Sequence, residues 1–248
     1  MGPFYLLALL VHLPGCEATA WERVAVCGHE GQKYSLVLPA GYEATKRYPA
    51  IVILHGAGRN YHTLVDDFAT RGALLQAKEI IVLPDGGLSW WQDDARLVRL
   101  LDWLETRLSI DSRRVVCGGW SMGGYGSLRL VTRHAERFAG WGGMIGLVDY
   151  PNASYPAASN YPVAALFGDP AAWASANPMK DVEGLRGKQV WFATADQAFD
   201  AAMNRELDRV LTEKQIVHRF EVVEGKHDFE AVTTLLPKML SFFEQTVQ

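Results

Sequence analysis

Short runs of β-branched and aliphatic residues alternate along the chain with longer stretches in which apolar residues recur at every third or fourth position. The runs at 24–27 and 34–38, closed by Pro39-Ala40-Gly41, predict an opening hairpin. Those at 51–54, 80–83, 115–117, 141–145, 190–193 and 219–223 read as core strands, most of them apolar at nearly every position, as strands covered on both faces require. Between them, Leu97, Leu101, Leu104 and Leu108 share one helical face, as do Phe199, Met203, Leu207 and Val210. A third such face carries Phe229, Val232, Leu236, Met239 and Phe243. Strands alternating with amphipathic helices predict an α/β fold, a mostly parallel central sheet with helices on both faces.

Two stretches depart from this rhythm. Residues 147–180 are rich in Pro, Ala, Asn, Tyr and Trp without a clear period, and are longer than most connections in a compact domain. Their aromatics predict a short ordered cap over a site. The other is the apolar run at 4–13, too short to cross a bilayer, which needs about 20 residues. It is followed by Pro14-Gly15 and by the small residues of Ala18-Thr19-Ala20. That is the pattern of a secretory leader cut after Ala20, although no Lys or Arg precedes the apolar run. The expected organisation is therefore a signal peptide over 1–20, then one domain over 21–248 that is secreted or periplasmic. A misread leader would leave the chain cytoplasmic. Leu13-Pro14-Gly15-Cys16 also resembles a lipobox, which would instead anchor the chain by a lipid on Cys16. With Cys16 removed, Cys27 and Cys117 are expected as buried free thiols, since each lies in an apolar run.

Composition narrows the functional classes. The chain carries 24 Lys+Arg against 28 Asp+Glu, for a net charge of −4, which excludes a basic nucleic-acid binder. Three cysteines without a CxxC spacing and seven scattered histidines predict no metal site. No Lys follows the glycine-rich segment at 118–126, and no G-x-G-x-x-G follows a strand, so neither a nucleotide nor a dinucleotide cofactor is expected.

That glycine-rich segment contains G-x-S-x-G as Gly119-Trp120-Ser121-Met122-Gly123, between a strand run and a helical stretch. The arrangement is that of a nucleophile elbow, in which a serine occupies a strained strand-to-helix turn that only glycines allow neighbouring backbone to approach. A serine needs a base to take its proton and a third group to orient the base. His218 lies at the edge of the last strand run, whereas His227 follows that run in a Gly-containing loop, so position selects His227. His134 lies at the end of the elbow helix and reads as a partner of its C-terminus. After the strand at 190–193, Asp196 is the first carboxylate and Asp200 the second. Asp200 would open a helix, where a carboxylate serves as a cap, so Asp196 is the expected acid and Asp200 the alternative. The oxyanion donors are expected to be the backbone N–H of Met122 and that of Ala57, in the loop His55-Gly56-Ala57-Gly58. His55 itself, at the end of a buried strand, reads as a structural hydrogen-bonder.

Four blocks in this order resemble the esterase D-type family of α/β-hydrolases: 54–58, 83–91, 120–130 and 224–229. The family includes feruloyl and acetyl-xylan esterases, tributyrin esterases, S-formylglutathione hydrolases and mycolyltransferases, and the resemblance spans about 33–243. It implies the α/β-hydrolase fold, a triad of Ser121, Asp196 and His227, and oxyanion donors at Ala57 and Met122. Trp120 stands before the serine where relatives often carry Leu, His or Phe, so the floor of the acyl pocket is expected to differ. The glutathione-site features of S-formylglutathione hydrolases are not found.

These features together predict a serine carboxylic ester hydrolase acting on small acyl, carbohydrate-linked or phenolic esters, with no cofactor and no nucleic-acid partner. Trp90, Trp91 and Trp120 are the expected substrate contacts, and Tyr155, Tyr161 and Trp173 could stack on a ring. Acyl transfer to a sugar or alcohol is the alternative chemistry. A non-catalytic binding protein on the same fold is the alternative of another class.

Overall fold

The computed structural model describes residues 13–154 and 166–247. Nine strands form one sheet in the order β1-β2-β3-β5-β4-β6-β7-β8-β9. They are β1 (Cys16–Ala18), β2 (Val24–His29), β3 (Gln32–Val37), β4 (Tyr48–Leu54), β5 (Ile80–Pro84), β6 (Ile110–Trp120), β7 (Gly140–Met144), β8 (Gln189–Ala195) and β9 (Arg219–Val223). The strands from β5 through β9 along the sheet pair in parallel, while β1, β2 and β3 add antiparallel strands at one edge. The mostly parallel sheet and the α/β class predicted from apolar patterning are observed.

The inner parallel strands are buried on both faces because helices cover both, whereas the edge strand β9 stays partly exposed. Helices α1 (Thr63–Asp66), α2 (Phe68–Gln76) and α7 (Phe229–Thr246) pack on one face. On the other lie α3 (Asp94–Arg107), α4 (Met122–Arg133) and α6 (Ala201–Glu213). Leu97, Leu101 and Leu104 of α3 point inward as their spacing requires. So do Met203 and Leu207 of α6, but Phe199 precedes that helix and is 49% exposed. Its place in the apolar period was coincidental, and its ring lies instead beside the site described below.

Residues 147–180 carry α5 (Pro170–Ala176) and the start of a 3-10 helix (Pro178–Leu185). Tyr155 and Tyr161, expected as ring contacts, lie outside the described residues. Trp173 is half-buried, its indole N–H donating to the Gly168 carbonyl.

The N-terminal segment differs most from expectation. The leader's apolar run falls largely outside the described residues, but residues 13–20 are built into the fold. Leu13 is fully buried, and β1 pairs antiparallel with β2, setting Cys16 opposite Cys27. The two form a disulfide, leaving Cys117 as the buried free thiol. Cys27 is therefore not a free thiol. A lipid thioether on Cys16 is incompatible with that bond, and a cut after Ala20 would remove both β1 and Cys27's partner. The strand is formed not by the apolar run itself but by residues 16–18 between it and the expected cut.

Candidate active site

The site forms where the parallel strands end at their carboxyl edge, the usual binding crevice of such sheets. Strand β6 runs out at Trp120, and Ser121 turns the chain into α4 with φ of 54° and ψ of −120°. Such a conformation is strained for a residue with a side chain and holds its hydroxyl clear of the helix. The turn is this tight because Gly123 lies against β4: a Cβ there would stand 2.0 Å from the Leu54 carbonyl oxygen.

His227 reaches the serine from the loop after β9. Its Nε2 lies 2.9 Å from Ser121 Oγ across a sequence separation of 106 residues. Its Nδ1 lies 2.6 Å from Asp200 Oδ1. The structure thus brings together Ser121, His227 and Asp200, the alternative acid, and not Asp196. Asp196 stands exposed at the end of β8, where Oδ1 accepts the Gly225 N–H at 3.0 Å. The backbone bonds Asp196 N–H to Val223 O and Gln197 N–H to Gly225 O lace the same two loops together. The capping argument against Asp200 fails because its carboxylate makes no helix-cap hydrogen bond. Asp200 is fully buried, and its Oδ2 accepts from Thr194 Oγ1 at 2.8 Å and Asn204 Nδ2 at 2.9 Å. A buried carboxylate is costly unless it is hydrogen-bonded, and here both oxygens are engaged.

The backbone N–H groups of Ala57 and Met122 donate to no protein acceptor among the described residues. The loop carrying Ala57 abuts the elbow, since a Cβ on Gly56 would stand 3.2 Å from Ser121 Cβ. Two free donors beside a serine suit an oxyanion.

The expected substrate contacts are packing residues. Trp90 is fully buried within a ring cluster of Tyr125, Tyr150 and Phe167. Trp91 is wedged against Gly86 and Gly126, and Trp120 is 4% exposed. Among the described residues, Phe199 stands at the site, its ring stacked on His227 with centroids 4.2 Å apart. Phe229 packs edge-on to Trp120, with the Arg59 guanidinium 5.1 Å above its ring. His218 bonds Asp208 and the Ile216 carbonyl, apart from the triad. His134 sits at the C-terminus of α4, 3.9 Å from Asp94, in keeping with its reading as a helix-end partner. Among the described residues, no group of three or more His, Cys, Asp or Glu side chains is placed to hold a metal.

A family model described as "Putative esterase" matches residues 30–243. The chain belongs to this esterase family. The match includes Ser121, Asp200 and His227 and begins after β1. An esterase of Mycobacterium tuberculosis is 25% identical over 239 residues, covering 79% of this chain and 52% of its own length. A probable feruloyl esterase C of Aspergillus terreus is 27% identical over 143 residues, covering 54% of this chain and 53% of its own. The chain therefore spans about half the length of these curated relatives. Among solved structures, an S-formylglutathione hydrolase of Agrobacterium tumefaciens superposes with a TM-score of 0.78 at 15% identity, over 95% of this chain and 99% of that one. A ferulic acid esterase superposes with a TM-score of 0.69 at 20% identity, over 86% and 92%. At these identities the likeness is one of fold, and the fold is that of the esterase family's α/β-hydrolases.

Nothing in the local pattern of Thr194, Asn204 or Phe199 marks them as site residues, and Phe199 reads there only as part of a helical face. Only the loop after β8, folding back on His227, gives them their neighbours. A usable signal was the Asp200-x-x-x-Asn204 spacing, one helical turn, which lets Asn204 Nδ2 reach the Asp200 carboxylate.

Proposed function

We propose that the chain is a serine carboxylic ester hydrolase working through an acyl-serine intermediate. The observation that carries this is the continuous hydrogen-bond path from Asp200 through His227 to Ser121, at 2.6 and 2.9 Å. In this reading Ser121 Oγ attacks the ester carbonyl carbon while its proton passes to His227 Nε2. Asp200 accepts the Nδ1–H, fixes the tautomer and stabilises the imidazolium. The oxyanion is held by the Ala57 and Met122 N–H groups. Collapse expels the alcohol with the proton returned by His227. Water, deprotonated by the same nitrogen, then attacks the acyl carbon and releases acid and free serine.

Small acyl, carbohydrate-linked and phenolic esters are the substrates proposed. The feruloyl esterase relatives and the Phe199 ring beside His227 support a phenolic ester among them. Rates on short p-nitrophenyl esters, acetylated xylan and methyl ferulate would rank these classes. Ser121→Ala should lose at least about a thousandfold in kcat on every substrate that the wild type turns over. Retained turnover would overturn the proposal. A fluorophosphonate should label Ser121 in the wild type and not in the variant.

Export is the second part of the proposal. A disulfide such as Cys16–Cys27 suits an oxidising compartment. N-terminal sequencing of the chain recovered outside the cytoplasm tests it: a start after Ala20 would mean that β1 is discarded, and a start before Leu13 that it is kept.

A further inference from the structure

We infer that His55 is a positioning residue that aims the Ala57 N–H into the oxyanion site; this rests on the ester-hydrolase reading above and adds a role to it. His55 directly follows β4, is 1% exposed, and touches neither Ser121 nor His227 through any hydrogen bond. Its Nε2 receives the Gly86 N–H at 2.9 Å, from the loop after β5. A backbone N–H can only donate, so Nε2 carries the lone pair and the ring proton is on Nδ1. Asp85 Oδ1, 3.3 Å from Nε2, accepts instead from the Gly87 N–H. The Nδ1–H is therefore the donor in the 2.8 Å contact with the Gly56 carbonyl.

The Gly56 carbonyl and the Ala57 N–H belong to one peptide plane. Among the described residues the one cis peptide is Tyr150-Pro151, so this bond is trans, and its C=O and N–H point in opposite directions. Holding the oxygen inward turns the N–H outward, toward the serine side of the loop. The same oxygen also accepts the Arg59 N–H at 3.2 Å, closing the turn from the other side. The Trp91 indole N–H, 3.1 Å from the His55 carbonyl, fixes the preceding peptide. Burial lowers the His55 pKa, which favours the neutral ring this arrangement requires. Without the side-chain donor, the Gly56 carbonyl would keep only the longer Arg59 bond, and the Ala57 N–H would be aimed less firmly into the site.

The two bonds can be separated by substitution. In His55→Asn the side-chain amide nitrogen can take the place of Nδ1 and keep the Gly56 bond, while the acceptor for Gly86 is lost. In His55→Gln the longer side chain can accept from Gly86 and leaves the Gly56 carbonyl with the Arg59 N–H as its one remaining donor among the described residues. Removing a whole oxyanion donor typically costs 10²–10³-fold, so His55→Gln should lose about 10- to 100-fold in kcat with KM within about twofold. His55→Asn should stay within about threefold of wild type. An alkylboronic acid, whose adduct on the serine places an oxygen in the oxyanion site, should bind His55→Gln more weakly in proportion to its loss in kcat/KM. Thermal midpoints identify a variant that has failed to fold, in which case the comparison rests on the other. Wild-type kcat in His55→Gln, a loss appearing in KM alone, or equal losses in the two variants would overturn the positioning role. Ser121→Ala, assayed alongside, separates the two ideas: turnover in that variant overturns the hydrolase reading itself, whereas an inactive Ser121→Ala with an unimpaired His55→Gln overturns only the role of His55.

Discussion

At the scale of single residues, the two candidate acids differ by what surrounds them rather than by their place in the chain. Asp200 is sealed from solvent and shares its oxygens among His227, Thr194 and Asn204. Asp196 is exposed and holds the Gly225 N–H. Asp200→Asn should therefore lower kcat by about 10³–10⁴-fold, because an amide donor would face the wrong tautomer of His227. Asp196→Ala should cost no more than roughly tenfold, and Asp196→Asn less, since the amide oxygen can still accept from Gly225. Parallel kinetics on the three variants check the assignment. Ser121 and His227 were legible from motif and chain order, because the elbow needs glycines at fixed places and the base needs a loop after a strand. The acid was not, because whether a carboxylate caps a helix or turns inward depends on a partner 27 residues away.

At the scale of elements, the strands were legible wherever a run is buried on both faces, as in β5 (Ile80–Pro84), all five of whose residues are buried. Helices α1 and α2 were not anticipated, as α2 carries Thr70 and Arg71 among its buried residues and so lacks a clean apolar stripe. Those polar side chains are accommodated by bonds to the Leu64 and Val65 carbonyls. Edge strand β1 was hidden inside an export-like pattern. In the full 248-residue chain, alkylation under denaturing conditions without reductant should modify one cysteine, Cys117, and prior reduction should expose all three. Closing a loop between residues 11 apart is worth at most about 3 kcal/mol, so reduction should lower the thermal midpoint by several degrees. An unchanged midpoint would mean that β1 contributes nothing to the folded sheet.

Across the whole molecule, stability is tied to pH through groups the fold has buried. His55 has its pKa lowered by desolvation, so the unfolded chain binds a proton at higher pH than the folded one. Its contribution is full above an ordinary histidine value of about 6.5 and is lost as pH falls toward the lowered folded value. Glu79 has the opposite sign: burial raises its pKa, so its contribution is present at low pH and is lost as pH rises through the folded value. His55→Asn removes only the first effect. The excess of the wild-type thermal midpoint over that of His55→Asn should therefore be largest above pH 6.5 and should shrink on acidification. The contact between His55 and Gly86 also bears on how such a site can be redesigned or inherited. The loops after β4 and β5 are 31 residues apart in the chain yet share one imidazole. Grafting either loop alone from a relative would strand a donor or an acceptor, so the two form a single heritable cassette that chimeras should exchange together.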